Sequence, residues 1–375
     1  MIYILLFFIS LMFLFIGSRT KNKIISLLTT FIGLILPCII AGLRNSSVGT
    51  DTSGYVKKMY ELAVGTNSFK EYTEAVYKWY LNKDYFYLFN TYICSKLNHG
   101  FQYVLFMNQV LAIFPIYLAS YRYYKNRKIS LVTMIFYFLT FYNLSFNMAR
   151  QSIAISFFVL SFAIYTTRRN KKDTFLSILF FILSVESHNT AIITAAIYLL
   201  YAIINSKSID PKVKTCILFI LNTLLLVSIF LYKPIFEFLG TSGIYKNAIN
   251  YIENHSRIDF NESSFILNIF ILILIIYYKK KFTNNKINFC FVLEIGIINL
   301  ILNLIGTFVK YSNRIVYYVY YLILFVYLPS LFMERKKNKV ELIDLFVIML
   351  ILYFIIYTLY FNNNQTLPYV FWRKT

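Results

Sequence analysis

Residues 129–167 read ISLVTMIFYFLTFYNLSFNMARQSIAISFFVLSFAIYTT, and the flanks of this run decide the fold. The run is mostly apolar and long enough to cross a bilayer twice, since one crossing takes roughly 20 residues. Arg127-Lys128 precedes it and Arg168-Arg169 follows it. Basic clusters in short loops stay on the cytoplasmic side, so both ends of the run belong there. One straight helix cannot have two inside ends. The chain must turn back near the middle, at Asn147-Met148-Ala149-Arg150-Gln151. The same reasoning applies between Lys172 and Lys207, where the turn falls at Glu186-Ser187-His188-Asn189. Both turns point outward.

Working outward from that hairpin, about twelve segments have the length and apolarity of a span. They are 2–18, 24–43, 101–121, 129–147, 150–167, 173–187, 190–205, 213–232, 263–278, 287–308, 314–333 and 340–360. Met1–Gly17 has no basic stretch ahead of it and reads as a first span rather than a cleaved signal. With this count, the basic clusters around residues 19–23, 122–128, 168–172, 207–214, 279–286 and 335–339 all fall on one side. The expectation is an all-α, polytopic integral membrane protein of one transmembrane domain over 1–375. Both termini are outside, with outer loops at 43–100 and 233–262. Composition agrees: 59% of the 375 residues are hydrophobic and 14% are charged, against about 25% charged in soluble domains. Mean hydropathy is +0.61. The net charge of +21 would suggest nucleic acid in a soluble chain. Here the Lys and Arg sit between spans and set topology, so no nucleic-acid partner is expected. Cys38, Cys94, Cys216 and Cys290 have neither metal-ligand nor disulfide-framework spacing.

The outward elements hold the residues that could carry chemistry. The first is Leu43-Arg-Asn-Ser-Ser-Val-Gly-Thr-Asp-Thr-Ser-Gly-Tyr55, directly after an apolar run. Gly49 can take positive φ and turn backbone N–H groups toward an anion. Asp51 has two readings: it coordinates a cation or orients a sugar hydroxyl, or it starts a helix through an Asx-turn and N-cap. An amphipathic piece at about Tyr85–Leu97 is expected to lie on the membrane. Arg150 sits at a helix mouth, where its guanidinium fork suits a pyrophosphate or anchors to lipid headgroups. His188 can accept a proton from a sugar hydroxyl at neutral pH, with Glu186 as an orienting carboxylate, or it is simply a polar hairpin tip. Arg314 heads the tyrosine-rich Tyr317-Tyr318 and Tyr320-Tyr321, as a phosphate clamp or as the anchor of an aromatic belt. The second outer loop carries Tyr245, Tyr251, His255, Arg257, Asp259 and Glu262. Gly296, Asn299, Asn303 and Gly306 recur at helical spacing and should face other helices; Glu294 lies on the opposite face. Walker A, dinucleotide-turn, His-Glu-x-x-His and Asp-x-Asp motifs are absent, so the sequence supports neither ATP, nor nucleotide-sugar, nor zinc chemistry.

The Arg44…Val48-Gly49-Thr50-Asp51-Thr52…Tyr55 pattern after the second apolar segment resembles the EpsG family of bacterial polysaccharide-assembly proteins. Arg150-Gln151 opening a helix, His188 before an apolar helix, and Arg314 before aromatics are further points of likeness. The first outer loop departs from the family: it reads Lys83-Asp84-Tyr85-Phe86 where an acidic residue followed by proline is expected, leaving an acidic role there open. The resemblance implies a Wzy-like polymerase in the bacterial cytoplasmic membrane. Such a protein joins undecaprenyl-pyrophosphate-linked oligosaccharide repeats into exopolysaccharide, capsule or O-antigen at the outer face, without a cofactor. The flippase and chain-length regulator of the same pathway are its implied protein partners. It also implies His188 and Asp51 as catalytic, and Arg44, Arg150, Gln151, Arg314 and Tyr55 as substrate-binding. Two other functions remain: a flippase for the same lipid-linked unit, and a glycosyl- or acyltransferase that modifies the polymer. A flippase should carry charge through the midplane of several helices, whereas these arginines sit at outer helix ends.

Overall fold

Each of the twelve expected segments contains helix. The computed structural model describes residues 1–80, 84–97, 100–241, 262–284, 287–308, 313–332 and 339–372. Most of the expected loop 233–262, with Tyr245, Tyr251, His255, Arg257 and Asp259, lies outside the described residues, as do His99 and Lys310–Ser312. Among the described residues, eight helical stretches are long and apolar enough to cross a membrane: 2–19, 23–42, 101–124, 149–166, 211–228, 289–306, 314–332 and 342–360. The other four segments form shorter helices at 127–140, 171–187, 189–205 and 262–277. Among the described residues the only β feature is an isolated antiparallel bridge between Arg44 and Phe371. The protein is thus an all-helical, multi-pass membrane protein. Its chain divides into two compact units, one formed by 1–192 with 344–375, the other by 193–343.

The first unit holds helices α1 (Ile2–Arg19), α2 (Lys23–Gly42), α3 (Lys57–Val64), α4 (Phe69–Tyr80), α5 (Tyr85–Lys96), α6 (Phe101–Tyr124), α7 (Arg127–Thr140), α8 (Ala149–Thr166) and α9 (Lys171–Ser187). At its centre is α8, in which every residue from Ala149 to Ile164 is buried. A helix apolar on all sides belongs inside a bundle, and α8 packs against α6 and α9. Small residues let those helices approach closely. The Ser156 hydroxyl donates to the Ala112 carbonyl at 2.7 Å, Ser161 to Ser177 at 2.6 Å, and Ser184 to Ala154 at 2.6 Å.

Both expected turns are present, at 141–148 and at His188. The first comes early. The segment expected as a span to residue 147 leaves α-helix at Thr140 and ends in a short 3-10 helix, Leu144–Asn147. Its polar residues are bonded elsewhere: Asn143 Nδ2 donates to Thr366 Oγ1 at 3.0 Å and Ser145 Oγ to Gln109 Oε1 at 3.1 Å. The second turn has His188 extended between α9 and a 3-10 helix, Asn189–Thr194.

The stretch 43–100 is a packed layer rather than a free loop. A π-helical turn, Thr52–Val56, runs into α3, and α4 and α5 follow. Tyr55, Met59, Ala63, Tyr72, Val76, Tyr87, Leu88 and Cys94 form one core with Val104 and Leu105 of α6 and Ala149, Ile153 and Phe157 of α8. At about 25 cal/mol per Å2 of apolar surface removed from water, such a core fixes α3–α5 on the bundle. Helix α5 coincides with the amphipathic piece expected at Tyr85–Leu97.

In the second unit the small and amide residues of Phe289–Phe308 do face other helices. Asn299 Nδ2 donates to Asn268 Oδ1 at 2.6 Å, and Asn303 Nδ2 to Ser264 Oγ at 3.1 Å. A Cβ on Gly296 would meet Ile275 Cδ1 at 2.9 Å. Glu294, on the other face, is buried and accepts from Asn222 Nδ2 at 2.8 Å.

Candidate functional site

The start of α8 is held by the first outer stretch. The first backbone N–H groups of a helix have no intrahelical acceptor, and a carboxylate there is favoured by the helix dipole as well. Asp51 Oδ2 supplies it, accepting the Ala149 N–H at 2.9 Å and the Tyr55 hydroxyl at 2.6 Å. Burial and the adjacent Asp51 carboxylate push Tyr55 well above its ordinary pKa, so it remains a phenol and donates. The Arg150 N–H then reaches the Tyr55 oxygen at 3.4 Å. Asp51 therefore caps a helix ninety-eight residues further along the chain, whereas the turn that follows it directly, Thr52–Val56, has no side-chain cap from it, contrary to the cap reading of the sequence.

Capped in this way, α8 presents Arg150 to a buried cluster. Its guanidinium lies over the rings of Tyr55 and Tyr80, 4.7 and 4.8 Å from their centroids. Nη2 donates to the Tyr80 hydroxyl at 3.0 Å, and Nη1 contacts Asp84 Oδ2 at 2.5 Å. Asp84 is 1% exposed and stands just ahead of α5. The same Oδ2 lies 3.6 Å from His188 Nδ1, an ion-pair distance beyond a hydrogen bond. Asp84 Oδ1 accepts the Asn189 N–H at 3.3 Å. One carboxylate thus bridges the heads of α5 and α8 and the end of α9.

The expected site residues divide by place. Arg150 and His188 meet at Asp84; Asp51 and Tyr55 position Arg150 from behind. Gln151 follows Arg150 in the first turn of α8 and is buried. Arg44 is 2% exposed. Its Nη1 donates to the Ala41 carbonyl at 2.6 Å, its Nε and Nη2 approach Thr52 Oγ1, and the Phe146 ring lies 4.0 Å away. Burial lowers its pKa to about 10, which leaves it cationic at neutral pH. Arg314 belongs to the second unit, half-buried as the second residue of helix Asn313–Leu322. Gly49 does take positive φ, +87°. Its N–H, however, donates to the Gln365 carbonyl at 3.0 Å and that of Thr50 to Asn147 Oδ1 at 2.8 Å, so these groups do not face an anion. The carboxylate found beside His188 is that of Asp84, where Glu186 was expected.

Sequence reasoning left the role of Asp84 open, named Asn147 only as part of a turn, and did not name Tyr80. The one signal for Asp84 was its place in the first outer loop, immediately ahead of an aromatic helix, where the family pattern calls for an acid. Among the described residues no group of three or more His, Cys, Asp or Glu could hold a metal ion.

The chain shows no significant match to a curated protein or to a solved structure. The EpsG family model matches residues 26–371, nearly the whole length. With its polytopic helical architecture and a family match across both units, the chain belongs to the EpsG family.

Proposed function

We propose that this protein polymerises polyprenyl-pyrophosphate-linked oligosaccharide repeats at the outer face of the bacterial cytoplasmic membrane. Family membership supports a polysaccharide-polymerase-like role in general. The observation that carries the finer reading is the buried Arg150–Asp84–His188 cluster at the end of a membrane bundle. An acceptor sugar hydroxyl attacks the anomeric carbon of the donor repeat. The bond from that carbon to the pyrophosphate oxygen breaks, and the lipid pyrophosphate leaves with the bonding pair. The hydroxyl proton passes to the His188 imidazole, which stands beside the Asp84 carboxylate. Arg150, preorganised between Tyr55 and Tyr80, neutralises the charge developing on the leaving pyrophosphate. The substrate brings its own activation, so no nucleotide or cofactor is required. Asp51, Tyr55 and Arg44 are positioning residues in this scheme, and Arg314 is a further phosphate-binding residue on its own unit. The carrier lipid is the remaining substrate contact, and the pathway's flippase and chain-length regulator are its neighbours.

The test is the size distribution of surface glycan in a deletion strain complemented with the wild type or with His188→Ala. The wild type should restore long polymer, and the variant should leave single repeat units on the outer face. Lipid-linked units trapped on the inner face would instead assign the protein to the flipping step. Long but chemically altered polymer would assign it to modification.

A further inference from the structure

The last described stretch, Phe361–Trp372, opens with the polar run Asn362–Thr366 after the final helix and is bonded into the first unit along its length. Asn362 folds it: its Oδ1 accepts the Thr366 and Leu367 N–H groups at 2.9 and 3.0 Å, and its Nδ2 donates to the Leu367 carbonyl at 2.6 Å. Thr366 is fully buried and Asn364 is 5% exposed. The Tyr3 hydroxyl donates to the Thr366 carbonyl at 3.0 Å, and the Tyr369 hydroxyl to the Ile40 carbonyl at 2.5 Å. At its far end the Asn45 N–H donates to the Val370 carbonyl at 2.8 Å, and the Trp372 N–H to the Leu43 carbonyl at 2.9 Å. The family match reaches residue 371 and so includes this stretch.

Two of its bonds bear on the site. The Gly49 N–H donates to the Gln365 carbonyl, two residues before Asp51. Asn147 Nδ2 donates to the Asn364 carbonyl at 2.6 Å, while its Oδ1 accepts the Thr50 N–H at 2.8 Å. Asn147 lies two residues before Ala149, whose N–H Asp51 caps, and three before Arg150. One amide side chain therefore ties together the C-terminal stretch, the loop that carries Asp51, and the head of the helix that carries Arg150.

We propose that Asn362–Trp372 is a fixed strap, acting through Asn147 as a positioning residue, that sets where Asp51 and Arg150 stand. Buried polar groups satisfied at both ends favour one arrangement, because each bond released without a replacement is costly. This argues for a permanent clamp over a lid. The inference rests on the proposed polymerase reading for its activity readout only.

The test uses full-length protein in proteoliposomes, with Thr366→Val/Tyr369→Phe, with Asn147→Ala, and with Leu43→Cys/Trp372→Cys. Leu43 and Trp372 flank the Arg44–Phe371 bridge and are both exposed, 43% and 44%. The Trp372 N–H donates to the Leu43 carbonyl at 2.9 Å, which keeps their Cα atoms close to the roughly 4.4–6.8 Å that a disulfide spans. The first two variants should exchange the amides of residues 43–51 faster, by about fivefold per hydrogen bond lost. Their kcat should fall by roughly 10- to 100-fold with KM little changed, as for a small misplacement of catalytic groups. Oxidising the cysteine pair should leave the wild-type background active and restore kcat to the Thr366→Val/Tyr369→Phe variant. Three results overturn the proposal: unchanged exchange, faster exchange with unchanged kcat, or an oxidised pair that blocks turnover until reduced, which would make the strap a lid. If the wild type itself makes no polymer in vitro, the polymerase reading fails, while the exchange data still decide whether the strap holds the loop.

Discussion

Arg150 has left water for a site between two phenol rings and a carboxylate, and such a move pays only if the charge stays paired. Removing one partner of a buried ion pair costs about 3–5 kcal/mol, whereas replacing both with apolar or neutral groups is often neutral. Asp84→Asn should therefore lower thermal stability and abolish polymer together. The double variant Asp84→Asn/Arg150→Met should recover the stability and still make no polymer; polymer returning with stability would mean the pair is only structural. Arg150→Lys keeps the charge and loses the fork, so it should weaken donor binding and turnover together, read as a rise in KM with a fall in kcat. His188→Ala should fold and bind donor but lose about 10²- to 10⁴-fold in turnover, the usual weight of general-base catalysis. Arg150 and His188 stood out in the sequence as polar residues at the tips of apolar hairpins, but headgroup-anchor and plain hairpin-tip readings stood beside the catalytic ones, and the family resemblance decided between them. Asp84 did not stand out, because a carboxylate's worth here comes from burial among partners far apart in sequence, sixty-six residues away in the case of Arg150.

At the scale of the element, α8 explains why the first outer stretch has its composition. A helix buried on all sides cannot send its terminal N–H groups to solvent, so Asp51 and Tyr55 come to it. Replacing a capping side chain by Ala costs about 0.5–2 kcal/mol. Asp51→Ala should lower the apparent Tm, while Asp51→Asn, which keeps an acceptor oxygen, should largely preserve both Tm and polymer. Loss of polymer in Asp51→Asn at unchanged Tm would return Asp51 to a direct catalytic role. Gly49 belongs to the same junction. Its φ of +87° and the 2.7 Å approach that a Cβ would make to the Phe146 Cβ leave no room for alanine. Gly49→Ala should cost on the order of 1–3 kcal/mol, measured as a fall in Tm. The spans were readable from the length of their apolar runs, and both hairpin turns from charge on their flanks; α3 and α4 were not, because their polar sequence reads as loop. The strap was not: Asn362–Trp372 has no periodicity and no charge before Arg373, and its structure comes from bonds to Leu43–Gly49 and Asn143–Asn147, which local pattern does not encode.

For the molecule as a whole, the first unit sorts its polar groups to opposite ends. Tyr3, the 43–51 loop, the 143–150 turn and the C-terminal strap meet at one end through the hydrogen bonds of Thr366, Gln365 and Asn147. At the other end Arg122 pairs with Asp173 at 2.7 Å and Arg127 Nη1 reaches Ser26 Oγ at 2.5 Å. This separation matches what the charge bias requires, since clustered Lys and Arg remain cytoplasmic. Under the topology proposed from that bias, the end with Arg150 and His188 is the outer one, with both terminal segments beside it. The assignment is testable without knowing the substrate. Ser68, ahead of α4, and Asn284, in the short helix Lys279–Asn284, are both exposed and lie in stretches expected on opposite sides. Cys216 and Cys290 are exposed thiols and should be changed to Ser first, so that labelling reports only the introduced site. In intact cells Ser68→Cys should then react with a membrane-impermeant maleimide, and Asn284→Cys should react only after permeabilisation. The reverse pattern would put Arg150 and His188 on the cytoplasmic face. A polymerase acting on repeats already carried outward could not use them there, and the proposed chemistry would have to be abandoned even though every contact in the cluster stood.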